Sequence, residues 1–229
     1  MNVLLTRPLA QVKLLESLVV DSGYQPLLFP TLEVKPVGAT AQRTQYDVII
    51  FISANAVEHG LALLKTLKYS AIYTVGAATA KKLNSYGIPV DGFPVKKASS
   101  EALLALDSVA QLQAKNVLIF RGKGGRETLK NGLEKNANQV EYVEVYDRIV
   151  CQLTDAHQQA LRVFLSNEQG AISITSNENL DGLVALANQL NQLDRLKKYP
   201  IIALSQRIQD HALLCGFSKV LVTADISDQ

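Results

Sequence analysis

Short, wholly apolar runs alternate with amphipathic stretches along most of this chain. Each run, such as NVLLT at 2–6, is followed by residues in which leucine, valine or alanine recurs at helical spacing. Strands that are apolar on both faces occur in parallel sheets that helices cover on both sides. The pattern therefore predicts an α/β fold, with strands at 2–6, 47–53, 71–76, 116–121, 171–176, 200–204 and 219–224.

Two extended segments interrupt this alternation, FPTLEVKPV at 29–37 and QVEYVEVYDRIV at 139–150. Pro30 and Pro36 exclude a helix from the first segment. In the second, charged and apolar residues alternate as in a strand with one wet face. Since neither is followed at once by a new apolar strand and helix, we interpret both as connectors between domains.

An internal repeat gives these connectors a place. NVLLTR at 2–7 recurs as NVLIFR at 116–121, and ISANAV at 52–57 is echoed by TSNENL at 175–180. A tandem arrangement would group the first unit with the second, whereas a nested one groups the first with the last. Nesting requires two crossings of the chain between domains, and the connectors lie at those crossings, so we favour it.

The predicted fold is thus two doubly wound parallel-sheet α/β domains, joined by a two-stranded antiparallel linker. Domain 1 is discontinuous and comprises 1–36 and 149–229, and domain 2, 37–148, is inserted in it. The linker strands lie near 29–37 and 139–150. A cleft is expected between the two domains, because they can move against each other.

Small or polar residues follow each predicted strand where a helix begins. In an open parallel sheet these turns lie at the carboxyl ends of the strands, where ligands bind. The alternative is that each residue is only a helix N-cap. We take as candidate ligand-binding residues Thr6, Arg7, Ser53, Ala54, Asn55, Gly76, Thr79, Gly122, Arg126, Ser176, Asn177 and Ser205.

The loop RGKGGR at 121–126 resembles a phosphate loop at first sight. It has no Ser or Thr after its lysine, and Glu127 occupies the third glycine position of a dinucleotide fingerprint. Both nucleotide motifs therefore fail, which weighs against a nucleotide-dependent transferase. A carboxylate remains as the candidate anion.

Composition and the remaining motifs exclude several functions. A net charge of +2 and 6% aromatic residues argue against nucleic-acid binding. The cysteines, Cys151 and Cys215, and the three histidines show no metal-ligand spacing, so no metal is expected. The first residues show no charged or apolar leader pattern, so we expect no signal peptide, and no apolar run approaches the ~18 residues of a membrane span. We therefore expect a cytoplasmic protein.

Two tyrosines on the second connector, Tyr142 and Tyr146, are candidates for chemistry. A phenol at the mouth of an inter-domain cleft can donate a proton or a hydrogen bond. The alternative is a tyrosine that packs the hinge. Tyr146 is the predicted catalytic residue.

The order of several short motifs resembles the uroporphyrinogen-III synthase family, from Leu5 to about Val222. The motifs are TRP near the start, FPxLEVxP, FISANAV, VGxxTAxxLxxxG, RGxxGRxxL followed by VY, and ITS. The resemblance implies the nested two-domain fold, no metal or organic cofactor, and a monomer. It also implies a lyase that converts hydroxymethylbilane to uroporphyrinogen III in haem biosynthesis, with loss of water, ring closure and inversion of the last pyrrole ring.

The resemblance carries over to individual residues unevenly. Thr79 matches the threonine of the GxxTA turn, and Tyr146 matches the tyrosine after the glycine-rich loop. The positions that line the family's cleft are matched by Ser53, Asn55, Gly122, Arg126 and Ser176. The late GxxTA turn of many relatives is absent, since Ser205 is followed by Gln-Arg-Ile-Gln. A non-catalytic module that binds a small polyanion is the alternative function.

Overall fold

The computed structural model describes residues 1–223 of this chain. The chain folds as two compact units: unit 1 comprises Met1–Glu33 and the chain from Ile149 onward, and unit 2 comprises Val34–Arg148. The elements follow one another as β1 (Asn2–Leu5), α1 (Leu9–Asp21), β2 (Gln25–Leu28), β3 (Leu32–Pro36), β4 (Val48–Phe51), α2 (Ala54–Leu64), β5 (Ala71–Thr74), α3 (Ala77–Ser85), α4 (Ser100–Leu104), α5 (Asp107–Ala110), β6 (Asn116–Gly122), α6 (Thr128–Glu134), β7 (Gln139–Val150), α7 (Asp155–Leu165), β8 (Gly170–Ile174), α8 (Asn177–Gln189), α9 (Leu193–Leu196), β9 (Ile201–Ala203), α10 (Gln206–Leu214) and β10 (Val220–Val222).

Unit 1 is built on a parallel sheet in the order β10-β9-β8-β1-β2. Because successive side chains of β1 point to opposite faces, Val3 and Leu5 pack with Val12 of α1, while Leu4 packs in a larger cluster. That cluster includes Phe164 of α7 and Leu183 of α8. Helices therefore bury both faces of β1, as its wholly apolar sequence predicts.

Unit 2 is built on a sheet in the order β3-β7-β6-β4-β5, in which the last four strands are parallel. Phe51 of β4 and Phe120 of β6 stack with their ring centroids 4.4 Å apart. Helix α2 lies close above this pair, since a Cβ on Gly60 would come within 2.5 Å of the Phe120 ring. This packing fixes α2, and with it the residues at its start.

The strands β3 and β7 contain the points at which the chain passes between the units. Val37 N donates to Val145 O and Cys151 N donates to Thr31 O, both at 3.1 Å. Residue numbers along β7 fall as those along β3 rise, so the two strands run antiparallel. On its other side β7 pairs in parallel with β6, from Gln139 onward. The predicted fold class is confirmed, and the segment 139–150 is a full sheet strand as well as a linker.

The sequence prediction missed several elements. Strand β2 and the helices α5, α7 and α9 were not predicted, and α7 begins shortly after β7 ends. The N-cap of α4 is Ser99, whose Oγ accepts from Ala102 N at 3.1 Å. The predicted end of the last strand, residue 224, lies outside the described residues. No helix within residues 1–223 combines the length and apolar character needed to cross a membrane.

Tyr46 gives unit 2 a titratable contact in its core. Its hydroxyl donates to Glu141 of β7 and accepts from Arg43 N at 3.1 Å. Burial, followed by the hydrogen bond to the Glu141 carboxylate, raises the pKa of Tyr46 to about 12. In the unfolded chain the phenol ionises near its ordinary pKa of 10.0. Folding therefore retains a proton that the unfolded chain loses between these two pH values.

We expect stability to fall as pH rises through this window, and Tyr46→Phe to lack that part of the fall. The free-energy advantage of the wild type over Tyr46→Phe is present below pH 10 and shrinks by up to about 2–3 kcal/mol toward pH 12. Urea unfolding across the alkaline range measures it, with the exposed Tyr24→Phe as control. Parallel pH profiles for wild type and Tyr46→Phe would contradict the assignment.

Candidate functional site

The carboxyl ends of β1, β8 and β9 lie side by side at one edge of the unit 1 sheet. Thr6 follows β1, Ser176 follows β8 and Ser205 lies just beyond β9. Thr6 is buried, and its Oγ1 donates to Ser173 O at 2.7 Å. The hydroxyl of Thr6 therefore fastens β1 to β8, and Arg7 is the next residue along the chain at this edge.

Asn179 connects the candidate residues of unit 1, although the sequence analysis did not single it out. Its side-chain amide donates to Thr6 O at 3.3 Å and to Thr31 Oγ1 at 3.2 Å. Its Oδ1 accepts from Thr175 at 2.7 Å and from Ser176 at 3.3 Å. Asn179 is buried. The sequence signal that could have identified it is a polar residue among the apolar positions of a helix, since a buried polar group needs hydrogen-bond partners. Asn179 holds the start of α8 against β1.

The helices that start at these strand ends differ in how their first amides are satisfied. Ser53 and Ser176 cap α2 and α8, with their Oγ accepting from the backbone N–H three residues on. By contrast, α1, α3 and α10 begin at Pro8, Gly76 and Ser205 without a side-chain cap hydrogen bond and with no acidic residue in the first turn. The third amide of each of these helices, at Gln11, Thr79 and Ile208, donates to the carbonyl at the helix start. The first two amides and the dipole end are available to an anion from outside.

Asn177, Ala54 and Asn55 are the first residues of α8 and α2 and are half-buried. The Oδ1 of Asn177 is buried without a hydrogen-bond partner. In α3, Thr79 is buried and its N donates to Gly76 O at 3.1 Å. These residues lie at the starts of their helices, each within its own unit.

In unit 2, Tyr146 of β7 lies beside Ser53, which follows β4. Its phenol oxygen is 3.1 Å from Ser53 Oγ and accepts from Arg148 Nη2 at 3.2 Å. The residue is only 1% exposed. The hydroxyl is thus held between a helix-capping serine and a guanidinium, and the cap connects it to the start of α2.

Gly122 makes room for that tyrosine. It lies opposite Tyr146 across β6 and β7, where the register shifts between Arg121 and Gly122. A Cβ at position 122 would approach the Tyr146 ring to 2.5 Å. The physical reason for a glycine here is therefore close packing against the phenol ring.

Acidic side chains of the protein itself accept hydrogen bonds from the glycine-rich loop at 121–126. The buried Arg121 stacks on Tyr142, 4.2 Å from the ring centroid, and its Nη1 contacts Glu127 at 3.1 Å. Gly124 N donates to Glu144 at 3.1 Å. Helix α6 begins only after this loop, at Thr128. Arg121, which the sequence analysis did not select, holds the loop in place.

Arg126 differs from Arg121 in its surroundings. Its side chain is 70% exposed and pairs with the exposed Glu101 at 3.1 Å. Of the predicted residues in unit 2, the structure brings Ser53 and Gly122 together at Tyr146, whereas Arg126 contacts an acid of α4. Of the predicted residues in unit 1, Thr6 and Ser176 are connected by hydrogen bonds to the side chain of Asn179.

The fold and these strand ends define a two-unit α/β protein with candidate ligand residues at the carboxyl ends of parallel strands. Residues 13–228 match the family model described as uroporphyrinogen-III synthase HemD. The chain belongs to the uroporphyrinogen-III synthase family.

Individual relatives agree with this assignment. Uroporphyrinogen-III synthase of Escherichia coli is 26% identical over 240 residues, covering 100% of this chain and 96% of the relative. That of Salmonella typhimurium is 28% identical over 244 residues, with the same coverage. The crystal structure of uroporphyrinogen-III synthetase from Helicobacter pylori has a TM-score of 0.68 at 18% identity, covering 99% of this chain and 93% of that one. At that identity the structural likeness shows the fold.

We expect substitutions of Arg121 and Arg126, the two arginines of the loop, to have different effects on stability. Arg121→Met removes a buried cation and its hydrogen bond to Gly122 O, so we expect a loss of about 1–3 kcal/mol in the free energy of unfolding. Arg126→Met removes an exposed ion pair and should leave stability unchanged within error. Denaturant unfolding of both variants tests this, and equal losses would show that Arg121 does not hold the loop.

Proposed function

We propose that this chain converts hydroxymethylbilane to uroporphyrinogen III, with loss of water, closure of the ring and inversion of the last pyrrole. Its family makes it a ring-closing lyase of haem biosynthesis, an enzyme with a small-molecule substrate. The non-catalytic binding module is not favoured. What remains to be proposed is how these residues act on the substrate.

The observation that carries the proposal is the set of uncapped helix starts at Pro8, Gly76 and Ser205. The substrate carries acetate and propionate groups on every ring, so it is a polyanion. Each helix N-terminus contributes about 0.3–1 kcal/mol toward a carboxylate at an exposed site. Several such contacts together would fix the shape of a flexible linear tetrapyrrole.

The chemical step needs position more than reactive groups. The pyrrole nitrogen drives loss of the hydroxyl and leaves an electrophilic azafulvene. The enzyme then has to hold the last ring so that its substituted carbon attacks, through a spiro intermediate, instead of the free carbon. This is catalysis by proximity and orientation. The proposed reaction calls for no cofactor.

We propose the following division of roles. The substrate carboxylates bind at the strand ends and helix starts, at Thr6, Arg7, Ser53, Ala54, Asn55, Gly76, Thr79, Gly122, Arg126, Ser176, Asn177 and Ser205. Tyr146 acts on turnover through the hydroxyl of Ser53, because its own ring is almost wholly buried. Its hydrogen bonds to Ser53 and Arg148 support this role.

The organisation of the protein is part of the proposal. We propose that 1–36 with 149–229 forms one domain and 37–148 the other, and the two compact units, which divide near these positions, support this. We further propose a cytoplasmic monomer that binds no nucleic acid, in line with its near-neutral charge. Size-exclusion chromatography with light scattering tests the monomer.

Isomer analysis tests the function. Purified protein added to freshly made hydroxymethylbilane should give mainly uroporphyrinogen III, because the enzyme imposes the inversion of the last ring. The products, oxidised to porphyrins, are separated by liquid chromatography and compared with a protein-free reaction. If the protein yields only the symmetric type I isomer that forms spontaneously, it is not the synthase.

A pair of tyrosine variants tests the role of the phenol. Tyr146→Phe removes a hydroxyl with two hydrogen-bond partners, so we expect kcat to fall about tenfold, equivalent to one hydrogen bond of about 1.4 kcal/mol. Tyr142→Phe, on the same strand, removes a buried hydroxyl without a partner and should leave kcat unchanged. Steady-state rates of type III formation measure both. An unchanged rate in Tyr146→Phe removes Tyr146 from the mechanism.

A further inference from the structure

Asp181, His211 and Cys215 form a cluster of three metal-ligand side chains in unit 1. The residues come from two neighbouring helices, since Asp181 lies in α8, His211 in the last turn of α10, and Cys215 is the C-cap of α10. One ligand atom from each lies within 4.8 Å of the others, the tightest contact being 2.6 Å between His211 Nε2 and Asp181 Oδ1. None of these residues belongs to the proposed substrate site.

We propose that this cluster binds a Zn²⁺-class divalent transition-metal ion, with water as the fourth ligand. The structure assigns Nε2 of His211, Sγ of Cys215 and a carboxylate oxygen of Asp181 as its three protein ligands.

The chemistry of the donors selects the metal. Zn²⁺ accepts thiolate, imidazole and carboxylate in a tetrahedral site, at bond lengths of about 2.0–2.3 Å. Ca²⁺ and Mg²⁺ prefer an all-oxygen set of about six or more ligands, which this cluster does not offer. Bond lengths of that size place tetrahedral ligand atoms about 3.3–3.8 Å apart. The cluster, with separations from 2.6 Å up to 4.8 Å, therefore needs shifts of about 1 Å.

The backbone favours two of the ligands. His211 and Cys215 are four residues apart, a spacing that we did not recognise in the sequence, where no metal was expected. Cys215 N donates to His211 O at 3.0 Å, so both side chains lie on one face of the helix end. A helix C-terminus also carries a partial negative charge that stabilises a cation. The Asp181 carboxylate is 59% exposed and the His211 side chain 30%, so an ion can reach them and the carboxylate can reorient.

Protons are exchanged when the ion binds. His211 Nε2 lies 2.6 Å from Asp181 Oδ1, and the pKa of Cys215 is raised, first by burial and then by the Asp181 charge. When the ion binds, it accepts the lone pair of Nε2 of neutral His211, whose one ring proton is then on Nδ1, and the Cys215 thiol releases its proton to solvent. The positive charge of the ion then lies between the two anionic ligands, the Asp181 carboxylate and the Cys215 thiolate. The ion also joins α10 to α8.

Cobalt substitution tests the site without reference to activity. Co²⁺ titrated into the full chain, with the thiols kept reduced by a phosphine, should bind one ion per chain. As Co²⁺ binds, a sulfur-to-cobalt charge-transfer band should appear in the near ultraviolet, and tetrahedral d–d bands in the visible. Adding Zn²⁺ afterwards should remove these bands, because it displaces Co²⁺. Absence of a saturating one-to-one signal in the wild type would overturn the proposal.

Three variants locate the ligands. Cys215→Ser should lose the charge-transfer band, and Asp181→Asn should keep it with an affinity lowered about tenfold or more. Cys151→Ser, which changes the other cysteine, should match the wild type. Zn²⁺ should raise the melting temperature of wild type and Cys151→Ser but not of Cys215→Ser. Circular dichroism of each metal-free variant confirms folding, and His211→Gln replaces any variant that fails. A band that survives in Cys215→Ser or vanishes in Cys151→Ser refutes the assignment.

Discussion

Parallel alignment of the strands is the constraint on which the rest of this structure depends. Strands that are apolar on both faces must be covered by helices on both sides, and each helix has to start where its strand ends. The carboxyl ends of β1, β8 and β9 consequently share one edge, as do those of β4, β5 and β6. The composition of the candidate site is therefore decided by the few residues that follow each strand.

The strand β7 adds a second constraint, because it pairs in parallel with β6 and lies beside β3. Its pairing with β6 shifts register at Gly122, and the missing side chain there admits the ring of Tyr146. The phenol then reaches Ser53 and, through it, the start of α2. The glycine-rich loop that resembles a phosphate site is explained by this packing and by the ion pairs of Arg121.

Periodicity predicted the fold well where strands are wholly apolar, as in β1, β4 and β6. It failed for β2, whose sequence QPLL is short and begins with a polar residue and a proline. It also did not predict α7, which follows the second connector. Strand ends can be predicted as candidate ligand positions, because the topology of a parallel sheet brings them to one edge. The burial of Arg121 and the meeting of Asp181 with His211 cannot, because both depend on packing between elements distant in sequence.

The absence of a recognisable catalytic motif in the sequence follows from how the proposed reaction is driven. Backbone amides at a helix start are oriented before the substrate arrives, so they stabilise a carboxylate without reorganising. They also leave almost no trace in the sequence, since any small residue can precede them. What can be detected is that certain residues are missing: α1, α3 and α10 lack both a side-chain cap and an acid in the first turn. An enzyme that works by orientation is therefore better identified by the order of its strand ends than by any single reactive residue.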